Sequence, residues 1–252
     1  MYTICMVTKN QKKIIRSLKL KKNRKSQNTF VAEGLKVIND FLKEGLVLKT
    51  LYSLSEYMEA FENVDASKIV IISENDLKQI SFLNTPQKAL ALFEIPKPIG
   101  VNKDKGLQIV LDGVQDPGNL GTIIRLCDWF DVTHLICSKN VVDCFNEKVV
   151  QATMGSLARV VPIYLDIEEY LKKTKLPIYG TFMEGSNVYE QDLPNNAVIV
   201  MGNEANGISN NIVQLVNKKI GIPKFRKSNN VESLNVAMAT SILLSEFKRS
   251  SF

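Results

Sequence analysis

The spacing of apolar positions changes several times along the chain, and each change marks an element. In LKVINDFLK, residues 35–43, apolar side chains recur three and four apart, which is the period of one helix face, and Gly45 follows as a stop signal. Residues 47–54 then read as a strand, 55–63 as a helix capped by Ser55, 68–72 as a strand, 74–80 as a helix capped by Ser73, and 88–93 as a strand. Next comes EIPKPIGVNKDKG, where Pro96, Pro98, Gly100 and Gly106 stand among charges with no apolar period, so residues 96–106 are expected to link two domains, 1–95 and 107–252.

Alternation resumes after this break. Strands are predicted at 107–111, 133–137, 160–164, 178–183 and 197–201, with helices at 120–130, 145–157, 167–173 and 210–216. Strand and helix in strict turn argue for an α/β fold whose parallel sheet is covered on both faces. The C-terminal stretch is predicted to open as a short strand, IGIPKF, with Pro223 at its end, and to continue through a basic loop, 224–232, into a helix that is apolar on nearly every side. That loop delivers Ser233 and Asn235 to the mouth of a buried helix, which singles them out as candidate site residues.

Composition narrows the class. The chain has 252 residues with 45% hydrophobic content, enough for one large core or two modest ones. No run approaches the roughly 18 apolar residues that cross a bilayer, and MYTICMVTKNQKK lacks the apolar core of a signal peptide, so a cytoplasmic protein is expected. Four cysteines without C-x-x-C spacing and the single His134 argue against a metal site and against a histidine-based triad.

The net charge of +6 is unevenly distributed. Residues 1–25 hold nine Lys or Arg and no acid, while the other 227 residues carry 23 bases against 26 acids. A second acid-free window, 205–231, contains Lys218, Lys219, Lys224, Arg226 and Lys227. Two such clusters fit a polyanion such as RNA, and the N-terminal run reads as a basic arm, helical around Ile14 and Leu18, that supplies phosphate contacts; the alternative is a structural helix packed through Ile14, Ile15, Leu18 and Leu20 whose lysines only face solvent.

Open parallel sheets bind ligands beyond the C-terminal ends of their strands, and three loops stand out there. DGVQDPGNLGTIIR places Asn119 at a helix start and Arg125 farther inside; GNEANGIS carries Glu204 between Gly202 and Gly207; the third runs from Ile222 to Asn235. Gly113, Gly118 and Gly121 have neither the dinucleotide-binding spacing nor the lysine of a phosphate-cradling loop.

Taken in order, the loops resemble the three signature motifs of the SpoU family of RNA ribose 2′-O-methyltransferases, the TrmH-like branch of the SPOUT superfamily. Asp112-Gly-Val-Gln-Asp-Pro-Gly-Asn-Leu-Gly-Thr-Ile-Ile-Arg125 is similar to motif 1, Val200-Met-Gly-Asn-Glu-Ala-Asn-Gly-Ile-Ser209 to motif 2, and Ile222-Pro with Ser233-Leu-Asn-Val-Ala237 to motif 3. Asn146-x-Lys148-Val-Val-x-Ala-Thr-Met-Gly155 resembles the family's middle segment, and Phe30-Val-Ala-Glu-Gly34 the start of its substrate-binding domain. In motif 3, Lys224 and Arg226 occupy a region where the family usually carries Met and Gly, and the loop is longer.

The resemblance implies a C-terminal parallel-sheet domain tied in a deep trefoil knot, a small ribosomal-protein-like α/β domain before it, and a homodimer. It also implies S-adenosylmethionine bound by Gly202, Ile222 and Leu234, with Thr181 as a further candidate. Arg125, Asn119, Glu204, Ser233 and Asn235 correspond to the catalytic set. The resemblance implies that Arg125 binds the RNA phosphate and takes part in removing the hydroxyl proton; because a guanidinium keeps its proton at neutral pH, Arg125 is expected chiefly to clamp phosphate and stabilise charge, with Asn119 and Glu204 orienting it and the nucleotide, Ser233 contacting the phosphate or Arg125, and Asn235 fixing the loop. The implied reaction is methyl transfer to a ribose 2′-hydroxyl of ribosomal or transfer RNA. The rival is a non-catalytic RNA-binding protein with a degenerate knotted domain, which would have no need of all five polar residues together.

Overall fold

The fold is described from a computed structural model covering residues 6–97, 100–101, 104–225 and 233–249. Residues 98–99 and 102–103 of the expected linker and 226–232 of the basic loop lie outside the described residues, as does Cys5. The first half of the chain runs α1 (Lys9–Ser17), α2 (Lys21–Gln27), β1 (Thr29–Glu33), α3 (Leu35–Lys43), β2 (Leu48–Ser53), β3 (Ile69–Ile71), α4 (Glu74–Ile80) and β4 (Ala89–Glu94). The remainder runs β5 (Leu107–Leu111), α5 (Pro117–Trp129), β6 (His134–Cys137), α6 (Glu147–Ala152), β7 (Ile163–Tyr164), α7 (Ile167–Lys173), β8 (Ile178–Asn187), β9 (Ala197–Met201), α8 (Asn210–Val213), β10 (Lys218–Gly221) and α9 (Val236–Arg249). Two units result. One takes the chain up to Lys97 together with Asp143–Arg159, and the other takes residues 98–142 and 160–252.

The first unit is built on a mixed sheet of order β1-β4-β2-β3, in which β4 runs antiparallel to both neighbours and β2 pairs in parallel with β3. Phe30, Phe41 and Phe93 pack with ring centroids 5.5 to 5.9 Å apart, and Phe145 adds a fourth ring 4.9 Å from Phe30. Each buried ring contributes about 1.5–3 kcal/mol of burial free energy. Asp143–Arg159 thus brings apolar surface to this core, and Arg159 pairs with Glu44 at 3.0 Å.

The basic run folds as two docked helices, in line with the structural-helix alternative at Ile15 and Leu18, while Ile14 and Leu20 stay exposed. Thr8 caps α1 in a capping box with Gln11, while Ile15 and Leu18 are buried with Val7 in the same cluster. Several of the cations have structural partners. Lys12 Nζ donates to Asp76 at 2.6 Å and Gln79 at 2.7 Å, Arg16 donates to the Gln79 carbonyl, and Lys19 lies over the Phe82 ring. Arg24 is 3% exposed and donates to Asp143 at 2.5 Å and to the carbonyls of Leu18 and Lys19, both at 2.8 Å. Lys9, Lys13, Lys21, Lys22 and Lys25 remain on the surface.

The second unit has a six-stranded sheet of order β10-β8-β9-β5-β6-β7, parallel throughout. Its central strands LQIVL and AVIVM are buried at every position, as a sheet covered on both faces requires. The edge strand β10 exposes Lys218 and Lys219, charges that discourage pairing with a foreign strand. Helices α5 and α9 pack against each other, and Tyr179 meets Phe247 of α9 edge-to-face at 5.1 Å.

Several expectations are corrected. Residues 55–61 form a 3-10 helix whose N-cap is Leu54, with no side-chain cap from Ser55. The helix expected over 145–157 ends at Ala152, because Met154 and Gly155 adopt positive φ and only a 3-10 turn follows. The strand expected over 220–225 lies earlier, at Lys218–Gly221, leaving Ile222 and Pro223 in the loop. Helix α9 is less enclosed than its sequence suggests, since Met238 is 61% exposed. Among the described residues no helix is long and apolar enough to cross a membrane.

Arg24 sits where a lost partner would be costly, because Asp143 and two carbonyls would be left without their donor. Arg24→Ala is expected to cost about 3–5 kcal/mol, as for breaking a buried pair from one side, while the exposed Lys22→Ala should stay within about 0.5 kcal/mol. Denaturant midpoints of the two variants check this, and equal stabilities would contradict the structural assignment.

Candidate active site

The loops at the C-terminal ends of β5, β6 and β9 are fastened to one another by side chains. After β5, Asp112 accepts from the backbone N–H of Ser209 at 2.8 Å and from its hydroxyl at 2.6 Å. Gly113, at φ +79, donates its N–H to Ser138 Oγ at 3.0 Å, and its carbonyl accepts from Asn203 Nδ2 at 2.6 Å. Helix α5 then starts earlier than its apolar pattern suggested, with Asp116 as N-cap and Pro117 in its first turn. The cap is a bond from the Asn119 N–H to Asp116 Oδ1 at 2.8 Å, which fixes where the Asn119 side chain emerges.

Asn119 is the junction of the three motifs. Its Nδ2 donates to Glu204 Oε1 at 3.0 Å, and its Oδ1 accepts from Asn235 Nδ2 at 2.8 Å. Asn235 in turn accepts, through Oδ1, from the N–H groups of Ala237 at 2.9 Å and Met238 at 3.2 Å, so it caps α9 while holding Asn119. Three of the five expected catalytic residues are therefore joined by hydrogen bonds. Arg125 is not: it is exposed on α5 beyond Asn119, with no hydrogen bond or ion pair among the described residues. Ser233 is exposed two residues before Asn235.

Beside this junction lies an apolar cleft of about 530 Å³, lined by Thr181, Ile222, Phe225, Leu234 and Leu243 among others, with Ser233 and Lys224 as polar contributors. Its wall arises from a break in the sheet. Lys219 of β10 pairs with Gly180 of β8, but the next residue, Ile220, pairs with Ser186, so residues 181–185 of β8 have no β10 partner. Glycines make this possible: a Cβ at Gly185 would come within 2.2 Å of the Ile220 carbonyl carbon, and one at Gly221 within 2.5 Å of the Phe182 oxygen. Thr181 Oγ1 donates to the Val200 carbonyl at 3.0 Å. Of the four expected cofactor contacts, Thr181, Ile222 and Leu234 line the cleft; Gly202 does not, and instead backs onto Gly207.

Among the described residues no histidine or thiol joins the site. His134 starts β6, at the opposite end of the sheet from these loops, and burial pushes its pKa down. Cys127, Cys137 and Cys144 are buried, and burial raises the Cys127 thiol. Among the described residues no His, Cys, Asp and Glu group could hold a metal ion. Asp112, Ser138, Asn203 and Ser209 were not singled out from the sequence, although all but Ser138 lie within the quoted motifs.

A parallel sheet with a cleft and a polar junction at one end defines an α/β protein that binds a small molecule beside a polar reaction centre. Residues 106–245 match the model described as the SpoU rRNA Methylase family, and residues 9–91 match the MRM3-like substrate binding domain. The chain belongs to the SpoU rRNA methylase family. It is 29% identical over 245 residues to the 23S rRNA (guanosine(2553)-2'-O)-methyltransferase RlmP of Bacillus subtilis (strain 168), covering 94% of this chain and 95% of that protein. A TrmH-family structure from Porphyromonas gingivalis superposes with a TM-score of 0.87 at 39% identity, covering 98% of this chain and 100% of that one. An AdoMet-bound rRNA methyltransferase from Sinorhizobium meliloti gives 0.86 at 28% identity, covering 99% and 98%.

Gly202 tests the junction's packing. A Cβ there would lie 2.3 Å from the Gly207 carbonyl carbon, so Gly202→Ala must displace backbone and should cost about 1–3 kcal/mol. Gly207 has open space at φ +67, a left-handed conformation that Asn tolerates, so Gly207→Asn should cost under about 1 kcal/mol. Thermal unfolding of the two variants checks the order, and equal losses would contradict it.

Proposed function

We propose that the chain transfers the methyl group of S-adenosylmethionine to a ribose 2′-hydroxyl of ribosomal RNA. The observation that carries this reading is the meeting of the three motifs at Asn119 next to a cleft suited to the cofactor. The cleft's volume falls in the range of small-molecule sites, and its apolar lining, which includes Gly221, Ile222 and Leu234, suits the adenine ring of the cofactor. Relatives named as 23S rRNA 2′-O-methyltransferases favour ribosomal over transfer RNA as the substrate. A binding module without catalysis would have no use for the Glu204–Asn119–Asn235 chain.

Thr181, Ile222 and Leu234 hold the cofactor, and Gly202 lets the Glu204 loop close against the sheet. When bound, S-adenosylmethionine supplies a sulfonium methyl that is already electrophilic. What remains for the protein is alignment of the ribose oxygen and removal of its proton. Arg125, permanently charged and exposed without a partner among the described residues, clamps an RNA phosphate. Ser233 contacts the same phosphate. Glu204 Oε1 is occupied by Asn119, whereas among the described residues Oε2 has only a 3.5 Å approach from Asn203, so Oε2 is the oxygen available to take the hydroxyl proton.

The remaining parts of the reading follow the same lines. Residues 1–95 serve as the RNA-binding domain, residues 107–252 as the knotted methyltransferase domain, and residues 96–106 as their linker, with the surface lysines of α1 and α2 contributing phosphate contacts. The active form is a homodimer, a reading supported by Trp129 on α5 and Met238 on α9, which are 84% and 61% exposed. The site of action is the cytoplasm.

The test is transfer from methyl-labelled S-adenosylmethionine to 23S ribosomal RNA, followed by digestion to nucleosides. Label is expected on a 2′-O-methylnucleoside, and label on a base alone would overturn the reading. Arg125→Ala should lower transfer by about a hundredfold or more, the scale for removing a positioned charge, while cofactor affinity stays within a few fold. Turnover like that of the unaltered chain would remove Arg125 from the mechanism.

A further inference from the structure

Glu204 extends from an exposed loop, and its carboxylate is held at Oε1 by Asn119 alone among the short contacts. The preceding residue is far more constrained. Asn203 exchanges both backbone hydrogen bonds with Gly207, at 2.9 Å each, closing residues 203–207 into a small loop. Inside that loop its Oδ1 accepts from the N–H groups of Ala205 and Asn206, both at 3.0 Å. Its Nδ2 donates to the Gly113 carbonyl at 2.6 Å and approaches Glu204 Oε2 at 3.5 Å. Gly113 is itself fixed, since its N–H is bound to Ser138 Oγ.

We infer that Asn203 is the positioning residue of this site: it sets the root of Glu204 so that the carboxylate meets Asn119 and the ribose hydroxyl in one geometry. The inference rests on the reaction proposed above. A side-chain amide is needed because it must accept inside the turn and donate outward at once. Aspartate could accept from Ala205 and Asn206 but would turn a second carboxylate toward the Gly113 carbonyl and Glu204. Alanine could do neither. The two links divide the work, because Asn203 to Gly113 anchors the Glu204 loop to the loop after β5 and Glu204 to Asn119 completes the contact farther along the same segment. Asn203 is not among the residues lining the cleft, so its loss should not reach the cofactor.

The experiment compares Asn203→Ala, Asn203→Asp and Glu204→Gln, alone and combined, by single-turnover transfer at saturating RNA and S-adenosylmethionine. Asn203→Asp keeps the acceptor inside the turn, and so guards against a variant that merely fails to fold. Each Asn203 variant is expected to lower the rate by up to about a hundredfold, the scale of a misplacement of roughly 1 Å, with cofactor affinity within threefold. In the Glu204→Gln background the same changes should add little, because Asn203 acts through Glu204. Penalties that multiply in the double variants, or Asn203→Asp turning over like the unaltered chain, would overturn the assignment.

A second readout needs no turnover. The side-chain amide resonances of Asn119 should move toward those of a free asparagine in Asn203→Asp, since its Glu204 acceptor is released. Unmoved resonances would overturn the positioning role even in a chain with no methyl transfer. Absence of ribose methylation by the unaltered chain, with the resonances moving as expected, would instead sink the reaction and leave the positioning role standing.

Discussion

One primary amide joins segments far apart in the chain. Asn119 donates to Glu204 and accepts from Asn235, and only a side chain with a donor and an acceptor on one carbon can do both in a plane. Residues in three loops, after β5, after β9 and before α9, are thereby given one relative placement. The amide cannot wander, because its own backbone N–H is tied to the Asp116 cap and Asn235 is tied to the first turn of α9. Asn235 thus does two jobs, capping α9 and building the site, and Asn119 is placed by the capped start of α5, so the accuracy of the site draws on helix ends that must be satisfied anyway.

Around that junction the sheet supplies the rest. Parallel strands deliver their C-terminal loops to one end, and the buried runs of β5 and β9 hold the centre rigid. The cleft exists because β8 parts from β10 for residues 181–185, a break that depends on glycines where two backbones touch. The short segment Ser233-Leu234-Asn235 joins the two features, with Ser233 and Leu234 lining the cleft and Asn235 bonded to Asn119 at the junction.

Much of this was legible in the sequence, and the failures have physical reasons. The alternation after residue 106 identified a parallel sheet because strands buried on both faces are continuous apolar runs. Strand β1, TFVAE, was left unassigned since it is short, fully buried and shows no alternation to set it apart from a helix start. Helix α5 begins three residues before its apolar period, and Asp116-Pro117 was the available signal. The basic run looked like an arm because charge is visible in a sequence while the partners of Lys12 and Arg24, namely Asp76, Gln79 and Asp143, are remote in it. Nothing in the sequence sets Asn203 apart from its motif 2 neighbours, because its partner, the Gly113 carbonyl, is remote in the chain. The family match runs continuously from 106 to 245, yet Asp143–Arg159 within it packs with the first unit, which no linear pattern announces.

The most direct measurement concerns the junction itself. Asn119→Ala removes both of its bonds, and Asn119→Asp keeps the acceptor for Asn235 but deletes the donor to Glu204 and sets two carboxylates face to face. Both variants should bind S-adenosylmethionine within a few fold of the unaltered chain, yet transfer to ribosomal RNA about a hundredfold to a thousandfold more slowly, the range for losing one preorganised donor. Transfer by Asn119→Ala at the unaltered rate would contradict the claim that this amide organises the site.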